Sequence, residues 1–430
     1  MKVTIFTTFG DSDPAYSLNN VVVDQIKMFE GQSDYELEVL VKEGFKAEGT
    51  AYAAVTLKYL PHVHLSNEGK LPTDYENDVE KVYQVLKESL ANTNVVITHD
   101  IIYQPAHLIH NVACRRLAAE RPELRWLHWI HSATSPSVLC NQPAVKAIIT
   151  QAFPNSLVCY PNSYERVRVS TNFKYEERDV KHVPHPIDIP KYLGFTELAT
   201  EFTKKYGLIE SDVNIIYPVR LDRGKQVEKV VAIAAGIKRQ GRSVRCVIVD
   251  FHSTGGDKLV YRDLIKAKAV SLDLSDLEVI FTSDYSEETK YRCPREFVRD
   301  LFLISNVFIL PSVSETYSLV AQEAAICGNL LVLNFDFPPM RSIYGDMPYY
   351  YKFSSNMDAL TGMDGETTTR HTNDEVYYNQ CANGILFEIE NNRVIAVKDM
   401  LRKTRNSQYV FRKHLEPLLH ASEQIGRKIQ

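Results

Sequence analysis

Apolar, β-branched runs alternate with segments of helical period along most of this chain of 430 residues, and the alternation occurs twice. The first series predicts strands over 3–8, 36–41, 55–59, 95–98, 126–130 and 157–160, with helices over 19–29, 77–90, 106–119 and 164–172. The second starts after residue 190. It predicts strands over 214–217, 243–249, 277–281, 307–310 and 330–333, with helices near 227–238, 258–270, 295–304 and 317–326. Runs that are apolar throughout belong to parallel strands covered on both faces. Two such series predict an α/β chain built from two doubly wound, Rossmann-like domains.

The break falls in VPHPIDIPKYLG, where Pro184, Pro186 and Pro190 stop regular structure. That sets a first domain over 1–188, a second over 189–405 and a largely helical terminal segment over 406–430. Residues 355–383 are polar and weakly patterned, and read as a long surface loop. A hydrophobic share of 44% is ample core for domains of this size. The net charge of −5 excludes a general nucleic-acid coat. Seven scattered cysteines without a C-x-x-C read as small buried residues in a reducing compartment. The opening MKVTIFTTFG reads as a strand rather than a signal peptide, and no run of about 18 apolar residues is present. A soluble, cytoplasmic protein is the expectation.

Two stretches carry chemistry. In PSVSETYSLVAQEAAICG (311–328) a buried strand runs into a Ser/Thr-rich turn and a short helix stopped by Gly328. Glu315 stands in the turn, and Glu323 follows about two helical turns on. Backbone N–H groups of Tyr317, Ser318 and Leu319 at the helix start attract an anion, and the carboxylates accept hydrogen bonds from hydroxyls. Such a stretch can hold a sugar attached to a phosphate. In YPVRLDRGKQ, Arg220 and Lys225 directly follow a strand and offer a planar fork and a point charge to a phosphate. The plainer alternatives are a solvated basic turn beside Asp222 and Arg223, and a surface helix with two unrelated acids.

Through these residues the chain resembles the retaining glycosyltransferase family 4, of GT-B fold. Glu315 and Glu323 match its E-x7-E signature, with Ser318 where glycine is common. Arg220–Gln226 match R-L-x-x-x-K-G, with Gln226 in the place of the glycine. The likeness is densest over 213–335. The resemblance implies two domains with a cleft between them and a last helix that crosses back onto the first. It implies a hexosyl- or pentosyltransferase that moves a sugar from a nucleoside diphosphate donor, a UDP-sugar first, to an acceptor hydroxyl with retention. Arg220 and Lys225 would favour the charge building on the departing diphosphate. Glu315 would contact hydroxyls of the transferred sugar, and Glu323 the ribose diol. The path would be front-face, the leaving oxygen accepting the hydroxyl proton. Neither a metal nor a cofactor is implied.

His99 in VVITHD matches a strand-end histidine of the family, and the resemblance implies a catalytic role for it, holding the donor sugar and lining the acceptor pocket, with Asp100 and His131 on the acceptor side. Gly10, in the loop Phe9–Tyr16, stands where relatives carry a Gly-Gly turn, and is expected to bind the nucleotide sugar through loop N–H groups that meet a phosphate or the acceptor. A locally satisfied histidine and a helix capped by Ser17 are the alternatives. Asp11-Ser12-Asp13 reads as a turn and His182-x-x-His185 lies in extended chain, so neither predicts a metal site. Arg402–Arg405 reads as a solvated helix face. In RCVIVDFHSTGG, Asp250 and Phe251 replace the family's G-x-G, with Gly255 and Gly256 as a shifted turn.

The acceptor stays open between a carbohydrate, a lipid, a small molecule and a modified DNA base. The last rests on phage enzymes of this architecture that glycosylate hydroxymethylated bases, and on Arg115, Arg116, Arg121, Arg125, Arg166 and Arg168. A nucleotide-sugar 2-epimerase and a silent sugar-nucleotide binding protein are the rival readings.

Overall fold

The computed structural model describes residues 1–13, 15–47, 50–63, 71, 73–140, 142–250, 257–312, 315, 317–353 and 375–421. The chain divides into two compact units, Met1–Asp188 with Arg405–Gln430, and Ile189–Thr404.

The first unit holds seven strands: β1 (Lys2–Phe6), β2 (Glu36–Lys42), β3 (Thr56–Leu60), β4 (Val95–His99), β5 (Arg125–Trp129), β6 (Ser156–Tyr160) and β7 (Val180–His182). They pair in the order β3-β2-β1-β4-β5-β6-β7, every pair parallel. β4, β5 and β6 are buried at every residue, because helices cover both faces. The second unit holds β8 (Val213–Pro218), β9 (Val244–Val249), β10 (Val279–Phe281), β11 (Val307–Leu310), β12 (Leu330–Asn334) and β13 (Tyr349–Tyr351). Their order is β10-β9-β8-β11-β12-β13, again all parallel. The expected α/β class with two doubly wound sheets is present. In each sheet the strand order reverses once, beside β1 and β4 in the first and beside β8 and β11 in the second. At such a switch the connections leave to opposite faces and open a crevice at the carboxyl ends of the strands.

Residues 375–383 correct the reading of a long loop, since Glu375–Asn391 is a helix. It buries Tyr378, Cys381, Ala382, Ile385 and Ile389 along one face. It packs where Gly236 interrupts the helix Val227–Arg239, and a Cβ at Gly236 would meet the Tyr378 carbonyl oxygen at 2.8 Å. The remainder of that stretch, 355–374, lies outside the described residues. The helix expected from 317 starts at Leu319, because Ser318 takes φ 57° and cannot continue a right-handed turn. The strand expected from 277 starts at Val279, Leu277 being exposed.

The terminal segment belongs to the first unit. Phe411 sets its ring edge-on to Phe29, and the Arg125 guanidinium donates to the carbonyl oxygens of Leu418 at 3.1 Å and Leu419 at 2.6 Å.

Candidate functional site

In the second unit, β8 ends at Pro218 and the chain turns through Arg220–Gln226 before the helix Val227–Arg239. The β11 connection passes Pro311, Ser312 and Glu315 before the helix Leu319–Ile326. The Lys225 ammonium is ion-paired and hydrogen-bonded to the Glu315 carboxylate, joining the two connections across the switch. Both side chains are about four-fifths covered, so the pair sits in a less polar setting than bulk water. Tyr217 fixes the first connection from below by donating its hydroxyl to the Lys225 carbonyl oxygen at 2.9 Å. Arg220 does not join the pair. Its guanidinium binds Asp222 at 2.5 Å and is 61% exposed.

Gln226 and Ser318 both adopt left-handed backbone, at φ 52° and 57°. That geometry costs a residue with a side chain roughly 1 kcal/mol, and glycine avoids the cost. These are the positions where the sequence departs from a glycine. Behind the second connection Asn334, buried at the end of β12, is a brace that the sequence did not reveal. Its amide nitrogen reaches the Pro311 and Ser312 carbonyl oxygens at 3.4 Å, and its oxygen accepts from the N–H groups of Asp336 and Phe353 at 3.1 and 3.3 Å. Asp250, in the family's G-x-G place, holds the turn after β10. Its carboxylate accepts from the Ser283 N–H at 3.0 Å and the Ser283 hydroxyl at 2.6 Å. Gly255 and Gly256 lie outside the described residues.

Glu323 stands on the exposed side of the helix Leu319–Ile326, with an Arg295 nitrogen 3.4 Å from its carboxylate. It lines a cavity of about 690 Å³ together with Pro218, Val298, Phe302 and Leu319, and with the cations Arg292 and Arg299. An apolar wall with a carboxylate and guanidinium groups at its edge fits a flat heterocycle joined to a diol. Tyr317 and Leu319 are exposed beside it.

The first unit has its own pocket at the β1/β4 switch, about 470 Å³, lined by Gly10, Tyr16, Asn19, His99, Asp100 and His107 among others. His99 is buried, and both its nitrogens are engaged. Nε2 faces Gln25 Oε1 at 2.9 Å and Nδ1 faces His131 Nε2 at 3.1 Å. The His99 and His131 rings stack at 5.4 Å, and His131 stacks on His185 at 5.5 Å. Burial pushes His131 and His185 down to about 4 and holds His99 well below the ordinary imidazole range, so all three imidazoles are neutral at pH 7. Asp100, itself at φ 55°, accepts from the Tyr103 hydroxyl at 2.9 Å and the His131 N–H at 3.0 Å. Burial nevertheless raises its carboxyl to about 6. Gln25 escaped the sequence reading, because a buried glutamine on a helix carries no signal of its own, and His185 was read only with His182, not with His131.

The other patterns separate. Asp11 and Asp13 accept from backbone N–H groups two residues on, as turn formers do. His182 reaches the Pro161 carbonyl oxygen while His185 turns to His131. Arg402 is 2% exposed and donates to the Leu208 and Ile209 carbonyl oxygens, which corrects the reading of a solvated face there. The six arginines weighed for a nucleic-acid acceptor are engaged too. Arg116 binds Glu76 and Glu80, Arg121 binds Glu123, Arg166 binds Glu177 and Arg168 binds Glu165, while Arg115 and Arg125 donate to carbonyl oxygens. Among the described residues no helix is long and apolar enough to cross a membrane.

Residues 199–347, inside the second unit, match the family model described as glycosyl transferases group 1. That stretch contains Arg220, Lys225, Glu315 and Glu323. No curated protein matches the chain. Among solved structures, a glycosyltransferase from Rickettsia africae ESF-5 aligns with 97% of this chain and 98% of its own, at 13% identity and a TM-score of 0.37. Alr3699/HepE of Anabaena in complex with UDP aligns with 97% and 99%, at 14% identity and a TM-score of 0.33. The sucrose-phosphate synthase of Thermosynechococcus elongatus aligns with 93% and 97%, at 16% identity and a TM-score of 0.31.

Proposed function

We propose that this chain is a glycosyltransferase that takes a sugar from a nucleoside diphosphate donor, a UDP-sugar first, and passes it to an acceptor hydroxyl with retention. The observation that carries the reading is the Lys225–Glu315 pair at the β8/β11 switch, inside the stretch that matches the group 1 model. Without a ligand the two charges neutralise each other. When a sugar diphosphate arrives, the ammonium turns to the phosphate oxygens, and the carboxylate is released to accept from sugar hydroxyls. As the bond to the anomeric carbon breaks, negative charge grows on the leaving phosphate, and a cation already in place favours that state over the ground state. The free N–H groups at the start of Leu319–Ile326 add to this. Glu323 takes the ribose diol at the edge of the cavity that receives the base.

Arg220 reaches the same phosphate by exchanging Asp222 for it, which its exposure permits. No metal or cofactor enters the reading, since fixed cations and a helix end supply the charge. The polar pocket of the first unit, lined by Gly10 and Asp100 and backed by His131 stacked on His99, is the acceptor side. His99 positions that pocket rather than moving protons, because both its nitrogens are committed. In retention by the front-face path the leaving phosphate oxygen accepts the proton of the incoming hydroxyl, so no protein base is required.

A thermal-shift panel of UDP, GDP, ADP and dTDP with their glucose conjugates tests the donor reading. One base and its conjugate raise the melting temperature in proportion to ln(1 + [L]/Kd). A flat response across the panel at millimolar ligand contradicts it.

A further inference from the structure

The helices Val227–Arg239 and Leu319–Ile326 begin in the same unusual way. Each is preceded by a polar residue in left-handed backbone, Gln226 or Ser318, whose side chain caps nothing. The two are 0% and 7% exposed. Among the described residues, both amide atoms of Gln226 and the hydroxyl of Ser318 have no hydrogen-bond partner. Gln226 directly follows Lys225 and Ser318 comes shortly after Glu315, and those two residues are ion-paired. A polar residue at this position ordinarily gives its oxygen to an N–H of the first turn. Buried polar groups without partners are few in folded proteins, and non-glycine residues in left-handed backbone gather at functional sites.

We propose that Gln226 and Ser318 are specificity-determining residues of the donor site. The Ser318 hydroxyl hydrogen-bonds the phosphate held at the helix start, and the Gln226 carboxamide reads a hydroxyl of the attached sugar. The division follows from donor and acceptor capacity. A phosphate oxygen only accepts, which suits a hydroxyl. The carboxamide has a donor and an acceptor both open, and a sugar hydroxyl, which gives and takes, satisfies the two together. Glycine at either place would keep the backbone path and offer main-chain groups alone. The inference rests on the donor reading of the same site.

The test uses the full chain, the variants Gln226→Gly, Gln226→Asn and Ser318→Gly, and the same nucleotide panel read by thermal shift and titration calorimetry. Without ligand the glycine variants melt at or above the wild type, because they relieve the left-handed backbone. Ser318→Gly weakens the preferred diphosphate and its sugar conjugate alike, by about five- to tenfold. Gln226→Gly leaves the diphosphate at wild-type affinity and weakens only the conjugate, by a similar factor. Gln226→Asn, whose side chain tolerates this backbone, behaves the same way because it is too short to reach the sugar. Lower melting with unchanged affinities makes both residues structural and overturns the proposal, as do variants indistinguishable from wild type. Equal loss of diphosphate and conjugate in Gln226→Gly overturns the sugar assignment. If nothing in the panel binds the wild type, the donor reading itself fails.

Discussion

Lys225 and Glu315 stand 90 positions apart, and the ion pair between them is what turns two separate connections into one site. Its strength in the resting protein matters less than its willingness to part. A pair that keeps about a fifth of each side chain in solvent contributes only modestly to stability, so an incoming diphosphate can compete for the ammonium. Glu323 differs in kind, being more exposed and placed at a cavity edge. Replacing it by alanine removes a charged acceptor for two hydroxyls, roughly 1.5–3 kcal/mol of binding. Donor Kd measured by calorimetry rises by about one to two orders of magnitude, while turnover at saturating donor stays near the wild-type value. The sequence showed all four charged residues but not who holds whom. Pairings across sheet strands leave no trace in spacing, and Arg220 beside Asp222 looks no different from Lys225 until the fold turns one outward.

Between single side chains and the full chain lie the elements that aim them. Most strands were legible because buried parallel strands are rich in consecutive apolar residues, broken only here and there by a polar one such as His128 or Asn214. β7 and β13 were not, being edge strands of three residues whose side chains are partly exposed. The helix Glu375–Asn391 was missed although Tyr378, Cys381, Ala382, Ile385 and Ile389 carry a helical period. Its start is embedded in a polar stretch, and its partner face is a glycine, which gives no hydrophobic signal. Gly236→Ala puts a methyl group against the Tyr378 carbonyl oxygen and within 3.0 Å of the Ala382 Cβ. We expect about 1–3 kcal/mol of destabilisation, read as a lower midpoint in urea, with donor affinity retained. The stacked imidazoles give a second test. His131 and His185 bind protons near pH 4 when folded and near pH 6.5 when unfolded. The unfolded chain therefore takes up more protons as pH falls through that window, and stability is lost from about pH 6.5 downward. Asp100 acts oppositely between its ordinary value and about 6, but one carboxyl does not offset the histidines. Thermal melts at pH 7 and pH 5 should show a lower melting temperature at pH 5.

Two parallel sheets with one reversal each give this chain two crevices at strand ends, and the chemistry of the two differs. One holds cations, a helix start that the Ser318 side chain does not cap, and an apolar cavity with a carboxylate at its edge. The other holds neutral imidazoles and a carboxyl raised toward neutrality, which suits an uncharged polyhydroxy ligand better than an anion. The arginines that raised a nucleic-acid acceptor are tied to acids or carbonyl groups, so duplex DNA is expected to bind weakly and without a steep salt slope in a filter assay. All of this depends on Lys225 acting on the departing diphosphate. The direct measurement is the rate of nucleoside diphosphate release from the preferred sugar nucleotide in the wild type and in Lys225→Ala. We predict a loss of roughly 2–4 kcal/mol of barrier stabilisation, about thirty- to a thousandfold in rate, with donor Kd changed much less. Release at the wild-type rate in Lys225→Ala would contradict the account.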